Sequence, residues 1–286
     1  MNANALEPLA EGKTKIIMPA PGNQTHVLVK SKDDITAGDG AKHDILPGKA
    51  IAATTTTCNV FRLIQQVGVV PTHYYSQTDE TTFEAIKALM IPIEVVVRRR
   101  AAGSYLKRNP EAKQGEILPR LEIEFFYKDD DQHDPMMVWK PATDEFLLYD
   151  AKAPVTPGSE VGVLRRKDVD PAPPARIFLR YNEIAFMRVA AATVFEQLER
   201  TWVKQEMALV DLKVEFGFDH TGNLMLADVI DNDSWRLWRY GSPEGQLDKQ
   251  VYRDLSDEDP AVKEAALAQI RQNYELVAKM TERFGV

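Results

Sequence analysis

Apolar and polar residues alternate most regularly within the stretch Leu209–Trp238. Its first part has apolar side chains at every second position, Val210, Leu212, Val214 and Phe216, and charged ones between them, Asp211, Lys213 and Glu215. This period of two predicts a strand with one apolar face. A second apolar run, Leu224–Ile230, follows the turn-forming residues Asp219–Asn223, so the pair is predicted to form an antiparallel hairpin.

The predicted hairpin brings two acidic residues together. A turn centred on Thr221 and Gly222 pairs residues whose numbers sum to 443, which places Glu215 opposite Asp228. Facing carboxylates repel each other, so this register indicates a cation between them, and hard oxygen ligands favour Mg²⁺ or Mn²⁺. The alternative is a slipped register in which both acids are solvated. The polar residues that follow favour a site: Asp231, Asp233 and Arg236.

Elsewhere, hydrophobic spacing predicts a mixture of helices and strands. Spacing of three and four, with capping residues, predicts helices over Lys49–Val67, Thr82–Leu89, Arg176–Gln205 and Pro260–Phe284. Strands are predicted at Ile16–Met18, His26–Lys30, Ile91–Val97 and Leu121–Tyr127. Residues Trp139–Pro174 carry six prolines and no clear period. We expect them to form a surface insertion that covers or flanks the site.

Composition narrows the class of protein. The 286 residues carry a formal net charge of −8, which argues against nucleic acid as a main partner. The single cysteine, Cys58, excludes an internal disulfide and a multi-cysteine zinc site, and we expect it to lie in the core. No apolar run is long enough to span a membrane, and the first residues do not have the pattern of a signal peptide. A cytoplasmic protein is therefore expected, and a homo-oligomer is left open.

An arginine cluster at the end of a predicted strand is a candidate anion site. Arg98, Arg99 and Arg100 follow the apolar run and precede the small residues of Ala101–Ser104, which allow a ligand to approach closely. Strand alternation predicts that Arg98 and Arg100 share one side and that Arg99 is a structural or surface residue. Ser104 can donate to a phosphate and also begin a short helical turn.

Three further polar segments give weaker signals. Lys13 and Lys15 follow Gly12, but the spacing is not that of a Walker motif, and both lysines could be solvated. Asp39 lies between two glycines and is either a positioned side chain or part of a surface turn. The acidic block of residues 129–134, which includes His133, is either a metal site or, more commonly, a solvated loop.

Taken together, these segments resemble those of a known family. The segments EGKTK, DDITAGDG, IPIEVVVRRRAAGSYLKRNP, LVDLKVEFG and LADVIDNDSWRLW resemble those of SAICAR synthetases, and the last is more similar to the animal-type domain than to the short bacterial form. The resemblance implies an α+β, two-lobed fold, ATP-grasp-like and kinase-like, with antiparallel sheets flanked by helices. It implies lobes at residues 1–90 and 91–286, with 139–174 as an insertion.

The resemblance also implies an activity and a set of site residues. Members of the family are ATP-dependent ligases of purine biosynthesis that join L-aspartate to carboxyaminoimidazole ribonucleotide (CAIR). By motif position, the residues expected to bind ATP are Lys13, Lys15, Met90 at the hinge, Lys128, Glu215 and Asp228. Of these, Glu215 and Asp228 would hold Mg²⁺, and Lys13, Lys128 and Asp228 would serve catalysis. The expected substrate-binding residues are Asp39, Arg98, Ser104, Arg236 and Lys249.

Two other functions are compatible with the same residues. A small-molecule kinase would also need a lysine near the N-terminus, an apolar hinge and paired metal-binding acids. A non-catalytic nucleotide-binding protein would retain the fold and bind ATP without turnover. The charged set of Lys13, Arg98, Glu215, Asp228 and Arg236 argues against the second, because clustered charges without a function are costly.

Overall fold

The computed structural model describes residues 7–38, 40–165, 181–255 and 259–285. Two large antiparallel sheets, a separate two-stranded hairpin and the flanking helices form an α+β protein, as the sequence predicts. In the described part of the chain, no helix is both long and apolar enough to cross a membrane.

The N-terminal residues form a five-stranded sheet. Its order is β1-β2-β3-β7-β6, built from β1 (Ala10–Glu11), β2 (Lys15–Ala20), β3 (Asn23–Ser31), β7 (Thr82–Ile86) and β6 (Tyr74–Gln77). Strands β4 (Asp34–Ala37) and β5 (Lys42–Ile45) form a separate hairpin. The helix predicted over Thr82–Leu89 is wrong, because β7 fills the space between β3 and β6 and buries alternate residues, Phe83 and Ala85. Sheet pairing here overrides the helix propensity of the local sequence.

The remaining strands form the larger sheet, which carries most of the candidate site. Its order is β12-β11-β10-β9-β8-β13-β14, and β15 pairs with β13 beside β14. The strands are β8 (Leu89–Arg100), β9 (Ile117–Tyr127), β10 (Met136–Lys140), β11 (Glu145–Tyr149), β12 (Glu160–Arg165), β13 (Met207–Phe218), β14 (Leu224–Ala227) and β15 (Trp235–Arg239). The expected insertion therefore contributes strands β11 and β12, which its irregular sequence does not predict, and residues 166–174 lie outside the described part.

Among the described residues, five α-helices accompany the sheets: α1 (Lys49–Val67), α2 (Ser104–Arg108), α3 (Tyr181–Val203), α4 (Gln250–Asp254) and α5 (Pro260–Thr281). The predicted helices at 49–67, 176–205 and 260–284 are confirmed within a few residues at their ends, although 176–180 lie outside the described residues. Helix α1 ends at Gly68, whose φ of 69° lets its amide donate to the Ile64 carbonyl at 3.1 Å.

One continuous core joins the two large sheets. Helix α3 packs on β13 and β8, and its Phe195 and Trp202 are fully buried. Helices α1 and α5 pack against each other, and Asn59 donates to the Thr281 hydroxyl at 3.0 Å between them. Cys58 is buried as expected. This core fixes the sheets on either side of the loop between β14 and β15.

The predicted register of the β13–β14 hairpin is wrong by one residue. Glu215 pairs with Ala227, so paired numbers sum to 442 rather than 443. The Asp219 carboxylate accepts bonds from the amides of Thr221 and Asn223 at 2.8 and 2.9 Å, which closes a three-residue loop with Gly222 at φ 86°. A register that sums to 443 would instead need a turn of two residues. Asp228 consequently lies just beyond the strand pair.

Candidate active site

The polar loop between β14 and β15 lies where the edge of the large sheet is interrupted. Strand β13 pairs with β14 along one half and with β15 along the other, so residues 228–234 leave the sheet between them. Asp228 has a φ of 63°, and its carbonyl is 2.8 Å from His73 Nε2. Burial lowers the pKa of His73 to about 4, so at neutral pH the ring is a neutral donor that fixes the Asp228 backbone.

One cavity beside this loop lies between the two large sheets. Its volume is about 570 Å³, and apolar residues of both sheets, among them Val27, Val29 and Ile91, form part of its wall. Five of the expected ATP-binding residues line it: Lys15, Met90, Lys128, Glu215 and Asp228. An apolar slot that ends in charged groups suits a flat base joined to phosphates.

Lysines surround both carboxylates of this cavity. Lys15 pairs with Asp228, and Lys128 Nζ is 2.8 Å from Glu215. Burial alone would raise the pKa of the Asp228 carboxyl, but Lys15, Lys213 and Lys128 hold it well below its usual value. Asp228 is therefore ionised at neutral pH. Glu215 on β13 and Asp228 just after β14 line the same cavity, an arrangement compatible with one shared ion.

The donor chemistry fits Mg²⁺. Glu215 and Asp228 supply two anionic oxygen donors to one cavity, and Mg²⁺ commonly takes one or two carboxylates and completes its shell with water and phosphate oxygens. In the chain as described, no group of three or more His, Cys, Asp and Glu side chains could hold a metal ion. The acidic block at 129–134 thus forms no such group; its Asp129 instead caps a helical turn through the amides of residues 131 and 132.

Lys213 is a site residue that sequence reasoning missed. Its Nζ is 2.8 Å from Glu94 and 3.1 Å from Glu215, and these carboxylates and Asp228 raise its pKa against the opposing effect of burial. The signal was present in the sequence, because Lys213 lies on the same polar face of β13 as Asp211 and Glu215. The alternation alone does not distinguish Lys213 from a solvated strand residue.

A second cavity, of about 540 Å³, adjoins the first and shares Lys15 and Asp228 with it. It is lined by Arg98, Ser104, Arg236 and Lys249, which were expected to bind substrate, and by Lys13, which was expected to bind ATP. Asp39 lies outside the described residues. Its neighbour Gly40 borders Lys13, because a Cβ on Gly40 would lie 3.6 Å from Lys13 Cε.

A buried chain of alternating charges forms one end of the second cavity. Asp211 accepts from Arg98 Nη1 at 2.7 Å and from Arg236 Nη1 at 2.5 Å, and Arg98 Nη2 lies 3.2 Å from the Ser104 hydroxyl. On its other side Arg98 Nε donates to Glu124 at 2.6 Å, and Glu124 also pairs with Arg108. Four of these five side chains are nearly inaccessible, so both cavity-lining arginines are held in fixed positions.

The other two arginines of the cluster face elsewhere. Arg99 forms two bonds to Glu199 of helix α3, at 2.7 and 2.9 Å, in agreement with its predicted structural place. Arg100 donates to the Gly115 carbonyl at 3.0 Å and does not line the cavity. A bulge shifts the β8–β9 pairing between Arg98 and Arg100 and so interrupts the regular alternation on which their expected common side was based.

A third charged group borders the same cavity near Lys249. Asp233 accepts from Lys249 at 3.3 Å and from the hydroxyl of Tyr274, and it pairs with the buried Lys49 at 3.2 Å. Burial and the neighbouring Asp233 raise the pKa of Asp231 to about 6. Lys49 was not predicted as a site residue because its place at the start of α1 indicated only a helix.

The arrangement has two cavities that meet at a lysine–aspartate pair, one suited to a nucleotide and one to an anionic substrate. A family model described as SAICAR synthetase matches residues 8–155 and 167–269 of this chain. The chain belongs to the SAICAR synthetase family. Its relatives include the phosphoribosylaminoimidazole-succinocarboxamide synthase of Roseiflexus sp. (strain RS-1), 39% identical over 98% of both chains. A multifunctional protein of Caenorhabditis elegans is 42% identical over 98% of this chain, which spans 59% of that relative.

Solved structures agree with the family. The phosphoribosylaminoimidazole-succinocarboxamide synthase of Ehrlichia chaffeensis superposes with a TM-score of 0.73 at 28% identity, covering 96% of this chain and 98% of that one. A type-2 SAICAR synthetase in complex with ADP gives a TM-score of 0.69 at 29% identity, covering 93% and 96%. The expected kinase-like, ATP-grasp-like fold is confirmed. As a SAICAR synthetase, the chain is an ATP-dependent ligase of purine biosynthesis, and no comparison favours the kinase alternative.

Proposed function

We propose that this SAICAR synthetase joins L-aspartate to the carboxylate of CAIR and releases SAICAR, ADP and phosphate. The observation that carries the proposal is the junction of the two cavities at Lys15 and Asp228. ATP in the first cavity and CAIR in the second would bring the γ-phosphate and the substrate carboxylate together at this junction. Fixing both reactants is the main catalytic demand of such a transfer.

The first cavity supports binding of ATP. The base would lie against the apolar wall near Met90, and the lysines Lys15 and Lys128 would contact the phosphates. Lys13 would reach the terminal phosphate from the second cavity. Glu215 and Asp228 would hold a Mg²⁺ ion, which would neutralise charge on the phosphates. Lys213 helps to lower the pKa of Asp228 and would also neutralise charge at the junction.

The second cavity supports binding of the nucleotide substrate. Arg98, Arg236 and Ser104 would hold its phosphate, because fixed guanidinium groups suit phosphate geometry. By motif position, Lys249 and Asp39 would instead bind the imidazole carboxylate and aspartate. The phosphate and the imidazole carboxylate of CAIR would thus bind to different groups of cationic residues.

The reaction then takes two steps. An oxygen of the CAIR carboxylate attacks the γ-phosphorus, and the bond to ADP breaks, which gives an acyl phosphate. The unprotonated amine of aspartate attacks the acyl carbon, the bond to the phosphate oxygen breaks, and inorganic phosphate leaves. The ammonium group of aspartate must lose a proton before its attack, and the resulting amide nitrogen loses another. Lys13 and Lys15 would stabilise the charge on the transferred phosphoryl group.

The same proposal includes the organisation of the chain and its compartment. We take residues 1–90 and 91–286 as two lobes that enclose ATP between them; the change from one sheet to the next, between Ile86 and Leu89, supports this division. A cytoplasmic location agrees with the net charge and the single buried cysteine.

A substrate-omission assay tests the function. Free phosphate and SAICAR are measured with ATP, CAIR and aspartate together, and with each omitted in turn. We expect both products only when all three are present, and loss of both when Mg²⁺ is removed by a chelator. Phosphate that stays bound to an organic product would instead indicate a kinase, and ATP binding without any turnover would indicate a non-catalytic protein.

A further inference from the structure

The loop between β11 and β12 borders the second cavity. Ala151 and Lys152 belong to its lining, together with Arg98 and Ser104. The loop is ordered by its own turn, because Asp150 accepts from the Lys152 amide at 2.7 Å and from the Ala153 amide, through its carbonyl, at 3.3 Å. Lys152 is exposed, and within the described part of the chain neither a hydrogen bond nor an ion pair involves its ammonium group.

Arg108 fixes this loop to the arginine end of the cavity. Its Nη1 donates to the Ala151 carbonyl at 2.5 Å, and its Nη2 pairs with Glu124. Glu124 in turn accepts from Arg98 Nε at 2.6 Å. A continuous chain of hydrogen bonds therefore links the Ala151 carbonyl to Arg98 through Arg108 and Glu124. Because Arg108 is buried and fixed, its bond to Ala151 restrains the loop. Lys152 is held at the end of the cavity that we assign to the substrate phosphate.

The charges at this end indicate a role for one more cation. Arg108, Arg98 and Arg236 are neutralised in part by Glu124 and Asp211, which leaves a formal charge of +1 on this group of five. Asp248 and Asp254 also act on Arg236 and reduce that charge further. A phosphate monoester carries roughly −1.5 to −2 at neutral pH. Arg253 also lines the cavity and donates to the Gln250 oxygen that Arg236 contacts, but its single charge at most offsets one of these two acids. A bound phosphate would therefore remain under-neutralised unless a further cation approached it.

We propose that Lys152 is a further substrate-binding residue, whose ammonium group contacts the phosphate of the nucleotide substrate. The inference rests on the proposed function, since it takes the ligand of this end to be a phosphate monoester. It gives the segment that carries β11 and β12 a part in substrate selection. Lys152 acts on binding alone, because it lies with the phosphate and not at the junction where bonds change.

Lys152→Ala tests this inference by steady-state kinetics on the full chain. Loss of an exposed charged contact should raise KM for CAIR roughly three- to tenfold, with kcat and KM for ATP nearly unchanged. Lys152→Arg should restore most of the affinity. The matched control is Lys140→Ala, since Lys140 is an exposed lysine of the neighbouring strand β10 that lines neither cavity, and its KM for CAIR should equal that of the wild type.

A dephosphorylated substrate separates phosphate binding from a structural role. With the riboside of carboxyaminoimidazole, wild type and Lys152→Ala should have equal kcat/KM, because the contact is missing in both cases. The inference would be overturned if Lys152→Ala lowered kcat/KM equally for the nucleotide and the riboside, or if it left KM for CAIR unchanged. If the wild type itself forms no SAICAR from the three substrates, the proposed function fails, and that outcome is distinct from either result with the variant.

Discussion

The close approach of Gly103 to Arg236 gives the sharpest prediction for this site. Gly103 has a φ of 58°, and a Cβ there would lie 2.4 Å from Arg236 Nη2, 2.8 Å from Cζ and 3.0 Å from Nη1. The guanidinium cannot turn aside freely, since Asp211 and Gln250 accept bonds from it at 2.5 and 3.2 Å. In Gly103→Ala, Arg236 must therefore move by about 1 Å to reach normal contact distance.

The expected cost has two parts. Displacing Arg236 should weaken a charge-assisted contact to the substrate phosphate worth about 1.5–3 kcal/mol. That corresponds to a loss of roughly 10- to 100-fold in kcat/KM for CAIR. An alanine at this backbone conformation should also lower the free energy of unfolding by about 1–2 kcal/mol.

The loss in kcat/KM is measured from initial rates of phosphate release, with CAIR varied at saturating ATP and aspartate. The loss in the free energy of unfolding is measured by urea unfolding. Gly222→Ala is the matched control, because Gly222 also has a positive φ, of 86°, but nothing lies within 4 Å of its Cβ position. The control should lose stability and keep its kcat/KM for CAIR. If Gly103→Ala shows the same kcat/KM for CAIR as Gly222→Ala, the position of Arg236 is not what Gly103 protects.

Two further predictions concern the loop at Asp228. Asp228→Asn should reduce Mg²⁺-dependent turnover by orders of magnitude, because the site loses one anionic ligand. Near-normal activity of this variant at limiting Mg²⁺ would show that Asp228 does not bind the ion. Burial lowers the pKa of His73 from 6.5 to about 4, so the unfolded chain takes up a proton at this residue before the folded protein does. The free energy of unfolding should therefore be highest above pH 6.5 and should fall by at most about 3 kcal/mol as the pH decreases toward 4. His73→Gln keeps a donor for the Asp228 carbonyl without titrating, so its free energy of unfolding, measured in urea at a series of pH values, should fall less over this interval; equal pH dependence in both proteins would contradict the assignment.

Local sequence determined the elements whose patterns are long and regular. Strand β13 alternates from Val210 to Phe216, and helices α1 and α5 have caps and a repeated apolar face, so neighbouring residues alone specify them. The resemblance of the motifs also led to the family, because short segments such as LADVIDNDSWRLW carry charged residues in a spacing that ordinary strands and turns do not need.

Other features of the structure depend on residues that are distant in sequence, and only the tertiary structure reveals them. Thr82–Ile86 is a strand because β3 and β6 flank it, and the hairpin register follows from the Asp219 side chain, which closes a three-residue loop. Glu124 and Arg108 gave no signal in sequence, since each is an ordinary charged residue until burial places it beside Arg98.

The same limit applies to Lys152 and Lys213. A lysine on a strand or in a proline-rich segment is usually solvated, and its role depends on which groups from other strands surround it. Sequence patterns record periodicity along the chain, whereas the electrostatics of this site arise from side chains up to 213 positions apart, as in the pair of Lys15 and Asp228. Only folding brings such charges within a few ångströms, where their interaction becomes strong.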